Sequence, residues 1–211
     1  MLDFSSDFEA VRNLRDLARI NQWTGATREL VRQLRQRFRA GDSFRFLDVG
    51  AASGDLARAV LVSFPNANVV CLDLLRRNLQ CAPDERVLAD AFALPFPADC
   101  FEVVHCSLFL HHFTGEAVEK LILEMNRVSK HLILIQDLHR HWISYYFLPS
   151  TRWIFRWHPL TVNDGMKSVA AGWRRKELEQ ILQQIGLIRQ SKIQWHFPSF
   201  RYFIAIMTGS R

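Results

Sequence analysis

Between residues 44 and 135 the chain alternates short, almost continuous apolar runs with segments in which apolar residues recur every three or four positions. Continuous runs are typical of strands buried on both faces of a sheet, whereas the longer spacing is typical of amphipathic helices. Strands are predicted at 44–49, 68–72, 86–89, 101–106 and 131–135, and helices at 54–64, 74–80 and 115–128. Strands that alternate with helices form right-handed βαβ units, so the pattern predicts an α/β fold with a doubly wound, mostly parallel sheet.

The two ends of the chain carry further elements. Residues 7–39 have a helical pattern with a break near Gly25, and residues 173–186 have another that ends at a glycine. Apolar runs at 187–196 and 201–207 predict an antiparallel hairpin, and Asn163-Asp164-Gly165 predicts a turn. We divide the single domain into an N-terminal helical cap, a central sheet, an aromatic segment and a C-terminal helix with its hairpin, over 1–41, 42–137, 138–172 and 173–211.

Composition places the chain among globular proteins, because 49% of its 211 residues are apolar and 23% are charged. No apolar run reaches the roughly 18 residues that a membrane-spanning helix needs. The sequence MLDFSSDFEAV at the N-terminus lacks the basic stretch of a secretory signal. None of the four cysteines forms a Cys-x-x-Cys pair, which predicts free thiols in a reducing cytoplasm.

The net charge of +6 is concentrated in residues 139–176, which hold seven basic side chains and one acid, Asp164. The same region carries seven aromatic residues between 142 and 157. Three interpretations stay open: packing against the N-terminal helices, a wall around an apolar acceptor, or peripheral contact of 142–157 with an anionic membrane. RNA binding ranks below them, because no recognised nucleic-acid module accompanies the basic residues and the rest of the chain is neutral.

The first predicted strand runs into Asp48-Val49-Gly50-Ala51-Ala52-Ser53-Gly54. Glycines at 50 and 54 allow a ligand to approach the backbone, and the helix that follows points free N–H groups at the same space. The loop lacks the third glycine of a Gly-x-Gly-x-x-Gly motif, which disfavours a nicotinamide-dependent oxidoreductase. A turn that binds no ligand remains the alternative interpretation.

Acidic residues follow the second and third predicted strands. Asp73 lies about 20 residues after the glycine turn, where a carboxylate accepts hydrogen bonds from a ribose diol. Asp73 is also suited to cap a helix that begins at Leu74, and the two roles are compatible. Asp90 closes the third strand, where it could accept from an exocyclic amino group while the N–H of Ala91 meets a ring nitrogen.

Together these motifs resemble those of the class I S-adenosylmethionine-dependent methyltransferases that act on small molecules. Leu94-Pro95-Phe96 and the segment Ser107-Leu108-Phe109-Leu110-His111-His112-Phe113 also match that group. The resemblance implies a seven-stranded Rossmann-like sheet whose seventh strand lies antiparallel between the fifth and sixth, and S-adenosylmethionine as cofactor. It implies the following cofactor-binding residues: Asp48, Gly50, Ala51, Gly54, Asp73, Leu74, Asp90, Ala91 and Ser107.

One departure from the group lies in the glycine loop. Ala51-Ala52-Ser53 stands where these enzymes commonly have Cys-Gly-Thr, so the turn is stiffer and carries a methyl group near the ligand. Because alanine has the smallest side chain with a Cβ, we expect cofactor binding to survive. A catalytically degenerate protein that binds only cofactor or a partner is the alternative, and RNA methylation ranks lower.

The implied reaction is methyl transfer to the oxygen or carbon of a small apolar or aromatic acceptor. Orientation of the acceptor supplies most of such catalysis, and a base helps when the acceptor is a hydroxyl. His111 and His112 follow the fourth strand and are candidates for this base, although a purely structural pair is the commoner case. No metal is predicted, and His139-x-His141 is interpreted as a solvated pair. Nothing in the sequence indicates an oligomeric state.

Overall fold

A computed structural model describes residues 7–83, 85–197 and 199–209, and the side chains from residue 15 onward. Its sheet has the strand order β3-β2-β1-β4-β5-β7-β6. The first five strands are parallel, and β7 runs antiparallel to both β5 and β6, which confirms the predicted α/β fold. The strands are β1 (Arg45–Val49), β2 (Asn68–Asp73), β3 (Arg86–Leu88), β4 (Phe101–Ser107), β5 (Ser129–Leu138), β6 (Ser191–His196) and β7 (Arg201–Met207).

Helices cover both faces of the sheet. They are α1 (Asp7–Trp23), α2 (Ala26–Arg35), α3 (Asp55–Ser63), α4 (Glu116–Val128), α5 (Trp142–Phe155), α6 (Pro159–Ala171) and α7 (Arg175–Gln184). One apolar cluster joins the sheet to α2 and α3, and a second joins the opposite face to α4 and α7. The central strands β1, β2, β4 and β5 are largely buried on both faces, as their continuous apolar runs predicted, whereas the edge strands β3 and β6 are not.

The α-helix predicted at 74–80 is absent, and a 3-10 turn forms at Asn78–Cys81 instead. The Asp73 carboxylate explains the difference, because it accepts hydrogen bonds from the Leu75 N–H at 2.9 Å and from the Asn78 side chain at 3.1 Å. Such local bonds give the backbone an alternative to the helical ladder. The side chain that was expected to cap a helix therefore holds an irregular turn.

The prediction of a turn at Asn163-Asp164-Gly165 is also wrong, since these residues lie inside α6. A Cβ at Gly165 would overlap the Leu148 side chain of α5. The glycine therefore allows α5 and α6 to pack closely, and this tertiary contact outweighs the local turn preference of the sequence.

The carboxyl ends of the parallel strands form one edge of the sheet, where doubly wound folds bind their ligands. Asp73, Ser107 and Leu138 end β2, β4 and β5 there, and Gly50 follows β1 directly. The first six residues, with most of the N-terminal sequence interpreted above, lie outside the described residues. Over the described ranges, no helix combines the length and apolarity needed to cross a membrane.

Candidate active site

The glycine loop connects β1 to α3 and is tied to the end of β2. The Ala51 N–H donates to the Leu72 carbonyl at 2.9 Å, and the Ala52 N–H donates to Asp73 Oδ2 at 3.1 Å. The backbone turns through left-handed conformations at Gly50, Ala52 and Gly54, with φ angles of 69°, 47° and 68°. Ala52 thus adopts a conformation that is costly for any residue with a Cβ.

Replacing Ala52 by glycine is expected to raise the free energy of unfolding by about 0.5 kcal/mol. Relief of the left-handed strain, about 1–2 kcal/mol, outweighs the extra flexibility that glycine gives the unfolded chain. Denaturant unfolding measures the change. Ala51→Gly is the matched control: Ala51 is buried without a positive φ angle, so this variant should lose stability. Equal losses in both variants would contradict the strain argument.

Both loop glycines are in close contact with the protein itself. A Cβ on Gly50 would lie 2.7 Å from the Phe109 ring, and one on Gly54 would lie 2.9 Å from Ala82 Cα and 2.6 Å from Pro83 Cδ. The sequence predicted that these glycines leave room for a ligand. That role stays a prediction, and the structure shows that they allow the loop to approach the segments that follow β2 and β4.

The Asp73 carboxylate lies at the end of β2 and faces the loop. Its Oδ1 accepts from Leu75 and Asn78, while Oδ2 accepts from the Ala52 N–H alone among the described residues. A carboxylate has about four acceptor positions, so Oδ2 retains capacity for one more donor. Leu74, the next residue, is exposed beside it.

Asp90 and Ala91 follow β3, as predicted. Asp90 Oδ1 accepts from the Phe92 N–H at 2.9 Å, which stabilises the turn, and the residue is otherwise exposed. Ala91 is buried. The pair therefore places an exposed carboxylate next to a buried apolar side chain.

Asp48 lies within the sheet and is paired with a residue that the sequence analysis missed. Its Oδ1 is 2.7 Å from Nδ1 of His105, the residue beside it on β4, and both side chains are buried. Phe46 stacks on the imidazole at a ring distance of 5.6 Å. This pair links β1 to β4 below the loop, and the cofactor role of Asp48 stays a prediction.

His111 and Asp137 form a second buried pair at the carboxyl edge. His111 Nδ1 donates to Asp137 Oδ1 at 2.7 Å, and the backbone N–H groups of Phe109 and His111 donate to Oδ2. Burial opposes ionisation of Asp137, but His111 and these hydrogen bonds outweigh it and hold the pKa of Asp137 below its ordinary value. The carboxylate therefore fixes the orientation of the His111 ring, whereas the neighbouring His112 is exposed.

A buried arginine, which sequence reasoning also missed, lies beside this pair. Arg201 begins β7 and is 1% exposed; it donates to Asn21 Oδ1 at 2.7 Å and to Ser107 Oγ at 3.4 Å. Burial lowers the pKa of Arg201 to about 10, while Asp137 and Asp55 oppose that shift, so the guanidinium is charged at neutral pH. Its Nε has no hydrogen-bond partner within the described part of the chain. A charged residue at the start of an otherwise apolar strand was the signal in the sequence.

The helices α1, α5 and α6 cover this edge of the sheet. Asp16 of α1 accepts from the His158 N–H at 3.1 Å and from Thr161 Oγ1 at 3.0 Å, and α6 contacts the 3-10 turn that carries His111. Trp157 is buried and packs against Trp23 and Phe155. Packing against the N-terminal helices therefore accounts for the end of the aromatic segment.

Residues 47–132 match the family model of a methyltransferase domain. An uncharacterized methyltransferase of Synechocystis sp. is 32% identical over 151 residues, which are 67% of this chain and 66% of that protein. A malonyl-[acyl-carrier protein] O-methyltransferase of Halorhodospira halophila is 37% identical over 93 residues, 40% of this chain and 31% of that protein. Human N-acetylserotonin methyltransferase, solved in complex with S-adenosylmethionine, superposes with a TM-score of 0.66 at 14% identity and covers 97% of this chain and 57% of its own.

The chain belongs to the class I S-adenosylmethionine-dependent methyltransferases. The strand order, with β7 inserted antiparallel between β5 and β6, is the one that the resemblance implied. The methyl donor of this family is S-adenosylmethionine. The chain spans about two thirds of the Synechocystis relative and about a third of the Halorhodospira one.

Over residues 7–83, 85–197 and 199–209, no group of three or more His, Cys, Asp or Glu side chains is arranged to hold a metal ion. The rings of His139 and His141 lie 5.2 Å apart, outside the carboxyl-edge cluster of His111, Asp137 and Arg201.

Proposed function

We propose that this domain transfers the methyl group of S-adenosylmethionine to a small apolar or aromatic acceptor. The observation that carries the proposal is the contact between the Asp73 carboxylate and the glycine loop, which joins the ends of β1 and β2 into one binding edge. That edge lies where doubly wound sheets bind nucleotides.

The residues present fit the nucleoside part of the donor. Asp73 Oδ2 has capacity for a ribose hydroxyl, and Asp90 with Ala91 supplies a carboxylate and an apolar surface for the adenine. Gly50, Ala51, Gly54 and Ser107 would border the methionine part, and Leu74 would cover the ring. When bound, the donor supplies a sulfonium with an activated methyl group.

The acceptor would lie between the ends of β4 and β5 and the covering helices. Orientation of the acceptor there is the main contribution of the protein to catalysis. His111 is the group suited to take a proton from an acceptor hydroxyl, because Asp137 fixes its Nδ1 and leaves Nε2 as the free ring nitrogen. His111 would therefore serve as the base in methylation of a hydroxyl. Methylation of a carbon would rely on the same orientation of the acceptor.

Calorimetric titration with S-adenosylhomocysteine tests the cofactor site. We expect micromolar affinity for the wild type and an affinity about 10–100-fold weaker for Asp73→Ala, since a hydrogen bond to a charged group contributes about 1.5–3 kcal/mol. Asp42→Ala, which removes an exposed carboxylate before the start of β1, at the opposite end of that strand from the loop, is the control and should bind like the wild type.

Two results would overturn the proposal. A folded wild type that binds no S-adenosylhomocysteine would leave the fold as a scaffold for another partner. Tight binding without turnover on any apolar phenol or quinol would favour the catalytically degenerate alternative. Thermal unfolding of each variant separates a lost contact from a lost fold.

A further inference from the structure

Helix α5 presents an apolar face to solvent. Trp142, Tyr146 and Trp153 share one side of the helix at intervals of four and seven residues, and Trp142 and Trp153 are 68% and 87% exposed. Ile143 and Ile154 are exposed along the border of the same face. Ser144 is the only residue of α5 that is fully buried, and five large apolar side chains of the helix are exposed.

The apolar surface continues onto the turn between β6 and β7. Trp195, near the end of β6, and Phe197, directly after it, are more than half exposed. An open cavity of about 290 Å³ separates this turn from the start of α5, and it is lined by His139, His141, Ile143, Trp195, Phe197 and Phe200. We call the exposed face of α5, the turn and the cavity between them the aromatic surface. Continuous apolar patches of this kind mark interaction sites in soluble proteins.

Basic residues border the aromatic surface. Arg152 and Arg156 are exposed on one flank of α5, and α5 contains no acidic residue. Arg174 and Lys176 are exposed on the other side, after Trp173, whose backbone pairs with His139 in the cavity wall. Within the described residues none of these four cations has an ion-pair partner, so their charge is available to an anionic ligand.

We propose that the aromatic surface docks on an anionic lipid bilayer. Exposed Trp and Tyr side chains favour the headgroup level of a membrane, and flanking arginines pair with lipid phosphates. A second copy of this chain is a poorer occupant, because a symmetric contact through α5 would bring the same arginines together. The aromatic surface lies outside the donor-binding edge, and docking through it does not depend on the proposed activity.

Vesicle co-sedimentation tests the proposal with two lipid compositions. The wild type should bind vesicles of mixed phosphatidylglycerol and phosphatidylcholine, and bind phosphatidylcholine vesicles about 10-fold more weakly. The double variant Trp142→Ser, Trp153→Ser should lose about 10-fold or more in binding. Val62→Ser is the matched control, because Val62 is 83% exposed on α3, outside the aromatic surface.

A second pair of changes isolates the electrostatic part. Arg152→Gln with Arg156→Gln should reduce binding to the anionic vesicles and make the remaining binding less sensitive to salt. Quenching of wild-type tryptophan fluorescence by brominated lipid supplies a readout that needs no variant, and strong quenching supports insertion of the aromatic surface.

Three outcomes would overturn the proposal: no vesicle binding by the folded wild type, equal loss of binding in Val62→Ser, or equal binding to neutral and anionic vesicles. Light scattering without lipid gives a fourth test. A dimer that the tryptophan double variant converts to a monomer would show that a second copy covers this surface instead.

Discussion

Replacement of His111 by alanine is expected to lower kcat about 100–1000-fold while changing the Kd for S-adenosylhomocysteine less than about 2-fold. The expected loss is in kcat because a base acts on the acceptor and not on the donor. The Asp137 carboxylate holds the ring in one orientation, so the imidazole is prepared before the acceptor binds. Initial rates should be measured with the best hydroxyl acceptor from a panel of apolar phenols.

Two further variants decide whether His111 acts as a base or as a structural residue. Asp137→Asn keeps the size of the side chain but removes the charge that orients His111, so kcat should fall about 100-fold. His112→Ala is the matched control, because the His112 ring lies 4.2 Å from the His111 ring, tilted against it, but is itself exposed. Unchanged kcat in folded His111→Ala would show that the pair only anchors the turn after β4 to β5.

Stability must be followed in the same variants, because both members of the pair are buried. Removal of His111 leaves the Asp137 carboxylate without its side-chain partner, and loss of one member of a buried ion pair costs about 3–5 kcal/mol. The backbone N–H donors that remain on Asp137 reduce that cost. Rates compared well below the unfolding temperature therefore report chemistry and not unfolding.

The fold could be predicted because its signals are local. Continuous apolar runs identify the parallel strands. The glycine loop and Asp73, about 20 residues apart, mark β1, α3 and β2 as one βαβ unit. The position of β7 between β5 and β6 followed from the resemblance. Local signals failed where a single side chain or contact determines the backbone conformation. Asp73 does so after β2, and the close packing at Gly165 does so within α6.

The polar partners at the site could not be predicted from local signals. Asp48 meets His105 across 57 positions of sequence, and Arg201 meets Ser107 across 94. Such pairs depend on strand register, which brings β1 beside β4 and the start of β7 beside the end of β5. The sequence predicts Asp48 as a cofactor residue, and the structure adds the buried imidazole that pairs with it.

The aromatic residues between 142 and 157 lie in two different environments. Trp157 packs with Trp23 in the core, whereas Trp142 and Trp153 point to solvent. Composition treats all of these residues alike, and only the tertiary structure separates Trp157, which follows α5, from the two exposed tryptophans on that helix. Packing on the N-terminal helices and an exposed aromatic surface are thus both present.

A large loss of stability is also expected at the second glycine of the loop. Gly54→Ala should lower the free energy of unfolding by about 3 kcal/mol, which corresponds to a fall in Tm of about 6–12 °C for a domain of this size. Strain at a φ of 68° contributes about 1–2 kcal/mol. The rest comes from overlap of the new Cβ with the Ala82 backbone, which cannot rotate away as a flexible side chain could.

Gly186→Ala separates these two contributions. Gly186 has a similar φ of 74°, but a Cβ there would meet nothing within 4 Å, so its replacement should cost only about 1 kcal/mol. Denaturant unfolding of both variants gives the difference. If the two losses were equal, backbone strain alone would account for the loss of stability at Gly54. The close approach of the loop to the segment after β2 would then contribute nothing to the free energy of unfolding. A larger loss at Gly54 means that the loop and the segment at Ala82 and Pro83 are held together as one unit before any ligand arrives.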